Sequence, residues 1–157
     1  MDKFIIIFLA LYYILLILYL TYRKREKNDL VVQFKKRFLV FYIIASLLLS
    51  LILVIPLLFG KLPSVYTVLI VIILLGVCFF CVMWYKNFYI SYDENYFIYN
   101  NFLNKKYKIQ YKEVKKLDTN SDIIIFEAKG KSFFVINNKK FVNNINEFIN
   151  ILKTKNK

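Results

Sequence analysis

The sequence predicts a membrane α-helical protein: three transmembrane helices, then a small α+β domain, an antiparallel barrel or sheet with a C-terminal helix. Three observations lead there. The apolar fraction is 59%, where soluble domains have about 45–50%. The excess is concentrated in three charge-free runs within residues 1–85. From residue 86 onward the chain changes to short alternating segments separated by turn residues. The break falls at Tyr85–Lys86, so the expected domains are 1–85 and 86–157.

The runs cover about 4–22, 38–59 and 64–85. At about 1.5 Å per residue, each is long enough for a hydrocarbon core of about 30 Å. A soluble bundle would need polar faces, and these runs have none. The first run is expected to be a retained helix. The Met-Asp-Lys start is nearly neutral, its basic block Arg23-Lys24-Arg25 follows the run, and no small-residue cleavage pattern comes after it.

Charge sets an expected topology. Net charge is +13, and 23–37 carries seven Lys/Arg against Glu26 and Asp29. From Lys86 onward there are 14 Lys against seven Asp/Glu. Basic loops stay on the cytoplasmic side. The N-terminus is then outside, Gly60-Lys61-Leu62-Pro63 forms an outer turn, and the C-terminal domain is cytoplasmic at the cell membrane. Tyr19, Tyr22, Phe38, Tyr42, Phe59, Tyr66, Trp84 and Tyr85 flank the runs, as interfacial aromatics do. Ser46 and Ser50 share one face of the second run, and Gly76 interrupts the third. These small residues are expected at helix-packing contacts.

The tail predicts strands over 87–92, 96–100, 105–110, 114–118, 122–128 and 131–136, with Lys129-Gly130 as a hairpin turn. Ile145, Phe148, Ile149 and Leu152 follow helical spacing, and Asn144 with Glu147 has capping-box spacing. Four pieces of this tail resemble a known family. They are Ile90-Ser91-Tyr92-Asp93-Glu94-Asn95-Tyr96, Ile109 through Leu117, Ile136-Asn137-Asn138-Lys139-Lys140-Phe141, and the terminal helix. Together they resemble the bacterial pleckstrin-homology-like fold, more narrowly the YcxB-like C-terminal domain, although the Pro-containing segment common after the last strand is absent. The resemblance covers about Asn87 to Lys153 and implies a protein- or lipid-docking module without a catalytic set.

Other chemistries find little to work with. The chain has no His, so Ser/His/Asp and Cys/His sets are excluded. Its three glycines form no phosphate loop. Cys78 and Cys81 have C-x-x-C spacing but lie inside the third run, far from the exposed, thiolate-stabilising setting a redox pair needs. No second pair completes a zinc site; no metal and no cofactor are expected. The runs hold no ionisable Asp, Glu, Lys, Arg or His, which argues against ion paths and proton relays.

The candidate contact residues for a lipid headgroup or partner are Lys35, Lys36, Arg37, Lys105, Lys106, Lys108, Lys115 and Lys116. Each such cation contributes about 1 kcal/mol near an anionic leaflet. Tyr89, Tyr96, Tyr99, Tyr107 and Tyr111 interleave with Lys, a pattern also used to stack nucleic acid bases. Tyrosine is equally an ordinary strand former, and no nucleic acid partner is expected. The expected function is non-enzymatic: docking of a protein partner or anionic lipid at the inner leaflet, with a protein partner or homo-oligomer joined through the helices. The alternative is self-protection against a membrane-active peptide or secreted toxin.

Overall fold

The computed structural model describes residues 2–22, 31–119, 123–140 and 142–155. Three long apolar helices come first: α1 (Asp2–Tyr22), α2 (Lys36–Leu58) and α3 (Val65–Asn87). Between α1 and α2 lies a short strand, β1 (Val31–Phe34). After α3 come β2 (Tyr89–Tyr92), β3 (Tyr96–Asn100), β4 (Lys106–Gln110), β5 (Val114–Asp118), β6 (Ile123–Ala128), β7 (Lys131–Ile136), β8 (Val142–Asn143) and α4 (Ile145–Lys155). The fold class is the one expected. Two compact units form, one from Met1–Arg25 with Leu39–Lys86, the other from Glu26–Phe38 with Asn87–Lys157.

In the first unit, most side chains of the three helices point outward. Only 22%, 22% and 28% of their apolar windows are buried. A helix that is apolar all round has no face to give to water, and hydrocarbon satisfies it. The chain is a multi-pass membrane protein. On the inside, Ile5, Leu9, Tyr12 and Leu16 form one face of α1 and pack with Leu53 of α2 and Val68, Val71, Leu75 and Val82 of α3. Gly60 adopts φ 68° just past the end of α2, a conformation that glycine takes without strain. Ser64 opens α3 by accepting the Thr67 N–H at 3.1 Å.

The second unit has a five-stranded antiparallel sheet, ordered β4-β3-β2-β1-β8, and a three-stranded sheet, β5-β6-β7. The sequence leaves Val31–Phe34 inside a charged connecting loop; in the structure these residues are an interior strand. Val32 pairs with Ile90 and Gln33 with Tyr89 on one side, while Gln33 pairs with Asn143 on the other. Val31, Val32 and Phe34 are almost completely buried. Their β-branched and aromatic side chains suit a pleated, covered surface.

Strands β2 through β7 fall within one or two residues of the expected segments; Asp122, the expected start of β6, lies outside the described residues. Lys129 and Gly130 both have positive φ, 52° and 70°, and join β6 to β7 as a two-residue hairpin. Alternate residues point inward. Phe97 is fully buried and meets Tyr111, Phe126 and Phe148 at ring distances of 5.5, 5.5 and 5.3 Å. Helix α4 contributes Ile145, Phe148, Ile149 and Leu152 to the same core. Asn144 has φ 55°, and its side-chain amide donates to the Val31 carbonyl at 3.1 Å. The residue expected to cap α4 thus also holds β1.

Candidate functional site

The outward face of the five-stranded sheet follows from its register. Lys106 lies across from Asn100, which lies across from Tyr89; Lys108 lies across from Ile98, which lies across from Ser91. With Tyr96 and Gln110, these residues share one face, and the buried Phe97, Tyr99 and Ile109 point the other way. Asn100 is the exception on that face: it is fully buried and its amide donates to the Asn87 carbonyl at 2.7 Å.

Two lysines lie over tyrosine rings on this face. Lys108 Nζ is 3.8 Å from the Tyr96 ring centre, and Lys106 Nζ is 5.7 Å from that of Tyr89. Contacts of this kind contribute about 0.5–1 kcal/mol at exposed sites. Lys131, at the hairpin end of β7, lies 4.9 Å over Tyr107, which pairs with Tyr99 and so belongs to the opposite face. Lys129 donates to the Lys108 carbonyl at 2.7 Å and lies 3.6 Å from the Glu113 carboxylate. Glu113 also accepts the Gln110 N–H at 2.9 Å. A basic band therefore runs along β4 and onto the β6–β7 turn.

The structure groups only some of the expected contact residues. Lys105, Lys106 and Lys108 belong to this band. Lys115 and Lys116 lie on β5 in the other sheet, and Lys116 pairs with Glu127 at 3.3 Å. Such an exposed pair contributes little. Lys35 follows β1, its ammonium donates to the Lys139 carbonyl, and both residues line an open cleft of about 320 Å³ with Glu147. Lys36 and Arg37 begin α2. Sequence reasoning missed Lys129 as a member of the band; its place in the two-residue turn between β6 and β7 carried that information.

The tyrosines split into two groups. Tyr89, Tyr96 and Tyr107 are half-buried and support lysines. Tyr99 and Tyr111 are buried: Tyr99 donates to the Phe134 carbonyl at 3.1 Å, and Tyr111 to the Asp93 carbonyl at 2.9 Å. Burial pushes both hydroxyls up to about 12, with Tyr107 adding to the shift at Tyr99 and Asp93 to that at Tyr111. Tyr92 is raised further, by burial first and by the Glu147 carboxylate second.

Ser46 and Ser50 are buried in the first unit. Tyr13 Oη donates to the Ser46 carbonyl at 3.0 Å and lies 2.7 Å from Ser50 Oγ, so this face of α2 meets α1. Gly76 lies on the exposed side of α3, with no atom within 4 Å of where a side chain would project. Cys78 is buried and Cys81 half-buried, and both are free thiols. Lys86 Nζ donates to the Leu20 carbonyl at 2.8 Å, so a lysine at the end of α3 caps the last turn of α1.

Fold and site together define a class: a multi-pass membrane protein with three apolar helices and a small antiparallel sheet domain closed by a helix. The chain matches no family model, no curated protein and no solved structure.

Proposed function

We propose that this is a non-enzymatic docking protein of the cell membrane, with its N-terminus outside and its sheet domain in the cytoplasm. The domain engages a protein partner or anionic lipid at the inner leaflet, in the manner of a pleckstrin-homology-like module. One observation carries the reading: exposed lysines gather on a domain whose two chain segments both continue directly from apolar helices. One residue, Lys35, separates β1 from α2, and one residue, Phe88, separates α3 from β2. A surface tethered so closely to a bilayer meets its lipids and membrane partners at high effective concentration.

The topology has its own support. Val31–Gln33 pairs with Tyr89–Ser91 in one sheet. Two segments of one sheet cannot lie on opposite sides of a bilayer, and both segments belong to the basic stretches that favour the cytoplasm. The absence of His from the whole chain supports a non-catalytic role.

Gentle detergent extraction with affinity capture, followed by mass spectrometry of bound proteins and lipids, tests the reading. Reproducible recovery of an anionic lipid or a specific protein, lost when the sheet domain is removed, is the expected result. Capture unchanged by that removal contradicts it.

A further inference from the structure

We infer that the outward face of β6 and β7 is a pairing surface for a second copy of this chain, centred on Ile125 and Phe134. The inference is separate from the docking reading, because the basic band lies along β4 in the other sheet.

The two strands carry more apolar residues than one core face can use. Ile123-Ile124-Ile125-Phe126 in β6 and Phe133-Phe134-Val135-Ile136 in β7 are unbroken apolar runs, a pattern that suits strands covered on both faces. Ile124, Phe126, Phe133 and Val135 are buried, and their alternates turn outward. Ile123, Ile125 and Phe134 are 46%, 45% and 51% exposed. Among the described residues of the second unit, Leu103 is the one other large apolar side chain so exposed. Ile125 lies directly across from Phe134 and Ile123 across from Ile136, so the four form one contiguous patch. Patches of this kind mark contact sites.

The register makes this face complementary to itself. Sheets stacked face to face keep their strands nearly aligned. A twofold axis parallel to the strands, passing between β6 and β7, sets Ile125 over the second copy's Phe134 and Ile123 over its Ile136. The same operation sets Glu127 over the second copy's Ser132, so apolar meets apolar and polar meets polar along the contact. Charge agrees. Two chains of +13 repel each other, but this face sets Lys116 against Asp118 and Glu127, so repulsion is least here.

Other occupants fit less well. An added peptide strand needs an open edge. On β7 the Tyr99 hydroxyl donates to the Phe134 carbonyl at 3.1 Å, and β5 carries a bulge between Val114 and Lys116. An anionic leaflet would meet the carboxylates of Asp118 and Glu127, which lie across from Ile125 and Ser132. Size sets the conditions for pairing. A patch of a few hundred Å² is well below the about 800 Å² per partner of a stable interface. Pairing is therefore weak in dilute detergent and relies on the high effective concentration of chains held in one bilayer.

The test is energy transfer between donor- and acceptor-labelled full chains in phosphatidylcholine vesicles, over a range of protein-to-lipid ratios. Transfer should exceed that of randomly placed chains, and should rise further near 1 M salt, where the screening length falls to about 3 Å. Phe134→Asp should weaken association at least about ten-fold, because pairing would then bury two unpaired carboxylates. Leu103→Asp should leave it unchanged. Cross-linking frees the test from the folding of that variant. In chains with Cys78 and Cys81 replaced by Ala, Ile125→Cys chains mixed with Phe134→Cys chains should form a mixed disulfide dimer on mild oxidation, and Leu103→Cys chains should link to neither. Transfer at the random level at every ratio would overturn the second copy as occupant. Failure of the mixed disulfide, or undiminished association of a folded Phe134→Asp chain, would overturn the face. Burial of a fluorophore attached at Phe134→Cys in discs holding a single chain would give the face to the leaflet and overturn the proposal. None of these results bears on the docking reading, which the capture experiment tests by itself.

Discussion

Replacing Val32 with Ala perturbs the strand that the connecting segment contributes to the sheet. Val32 is fully buried and pairs with Ile90, itself fully buried. The change removes two methyl carbons, at about 0.8 kcal/mol each by transfer. A partly collapsed cavity raises the cost to about 2–3 kcal/mol. Because β1 lies between β2 and β8, the loss should be felt on both sides. Hydrogen exchange of the full chain in nanodiscs reads it. Amides of Tyr89–Tyr92 and Val142–Asn143 should exchange roughly 30- to 150-fold faster wherever exchange follows the opening equilibrium. Ile125→Ala, at an exposed position of β6, serves as the control and should stay within about 0.5 kcal/mol. If Val32→Ala leaves β2 and β8 exchanging at the original rates, the strand is not part of that sheet and the reasoning fails.

Further expectations follow from single residues. Phe97→Ala empties the centre of a four-ring cluster and should cost about 3–5 kcal/mol; limited proteolysis of the sheet domain in nanodiscs would detect it, and unchanged resistance would count against the core assignment. Ser50→Ala removes a hydroxyl 2.7 Å from Tyr13 Oη and should weaken α1–α2 association by about 0.6 kcal/mol, at most about 1.7; steric trapping in bicelles measures it, with a neutral result refuting the contact. Tyr99 and Tyr111 should ionise near 12 in an absorbance titration. Their folded values are raised, so the stability they contribute is fully present below the unfolded value of about 10 and is lost as pH rises from there through the folded values. Ionisation of both near 10 in the folded protein would contradict their burial.

Much of the architecture is legible in the residues themselves. Long charge-free runs admit one solvent, and the alternation from Tyr96 to Ile136 fixes strands to within a residue or two because a pleated sheet with one wet face demands that period. Val31–Phe34 was not legible. Four residues give too short a period to read, charge dominates the surroundings, and the partner strands β2 and β8 lie beyond two membrane helices in sequence. Two-residue β8 escaped for the same reason. At the candidate site, composition identified basic residues but not their grouping. Lys108 and Lys116 look alike as members of lysine pairs; only register shows that one sits over Tyr96 and the other pairs with Glu127. Asn144 shows the limit of local motifs, since its amide serves β1 across the fold as well as standing at the start of α4.

Cross-linking in native membranes tests most directly whether the segment between α1 and α2 belongs to the C-terminal sheet, and therefore shares its side of the bilayer. In a chain with Cys78 and Cys81 replaced by Ala, Gln33→Cys and Tyr89→Cys occupy paired positions on β1 and β2. Mild oxidation should join them in a disulfide-linked peptide detectable by mass spectrometry, while Gln33→Cys with Asp118→Cys, on the other sheet, should not link. Absence of the first link, or equal formation of both, would contradict a sheet assembled from both segments.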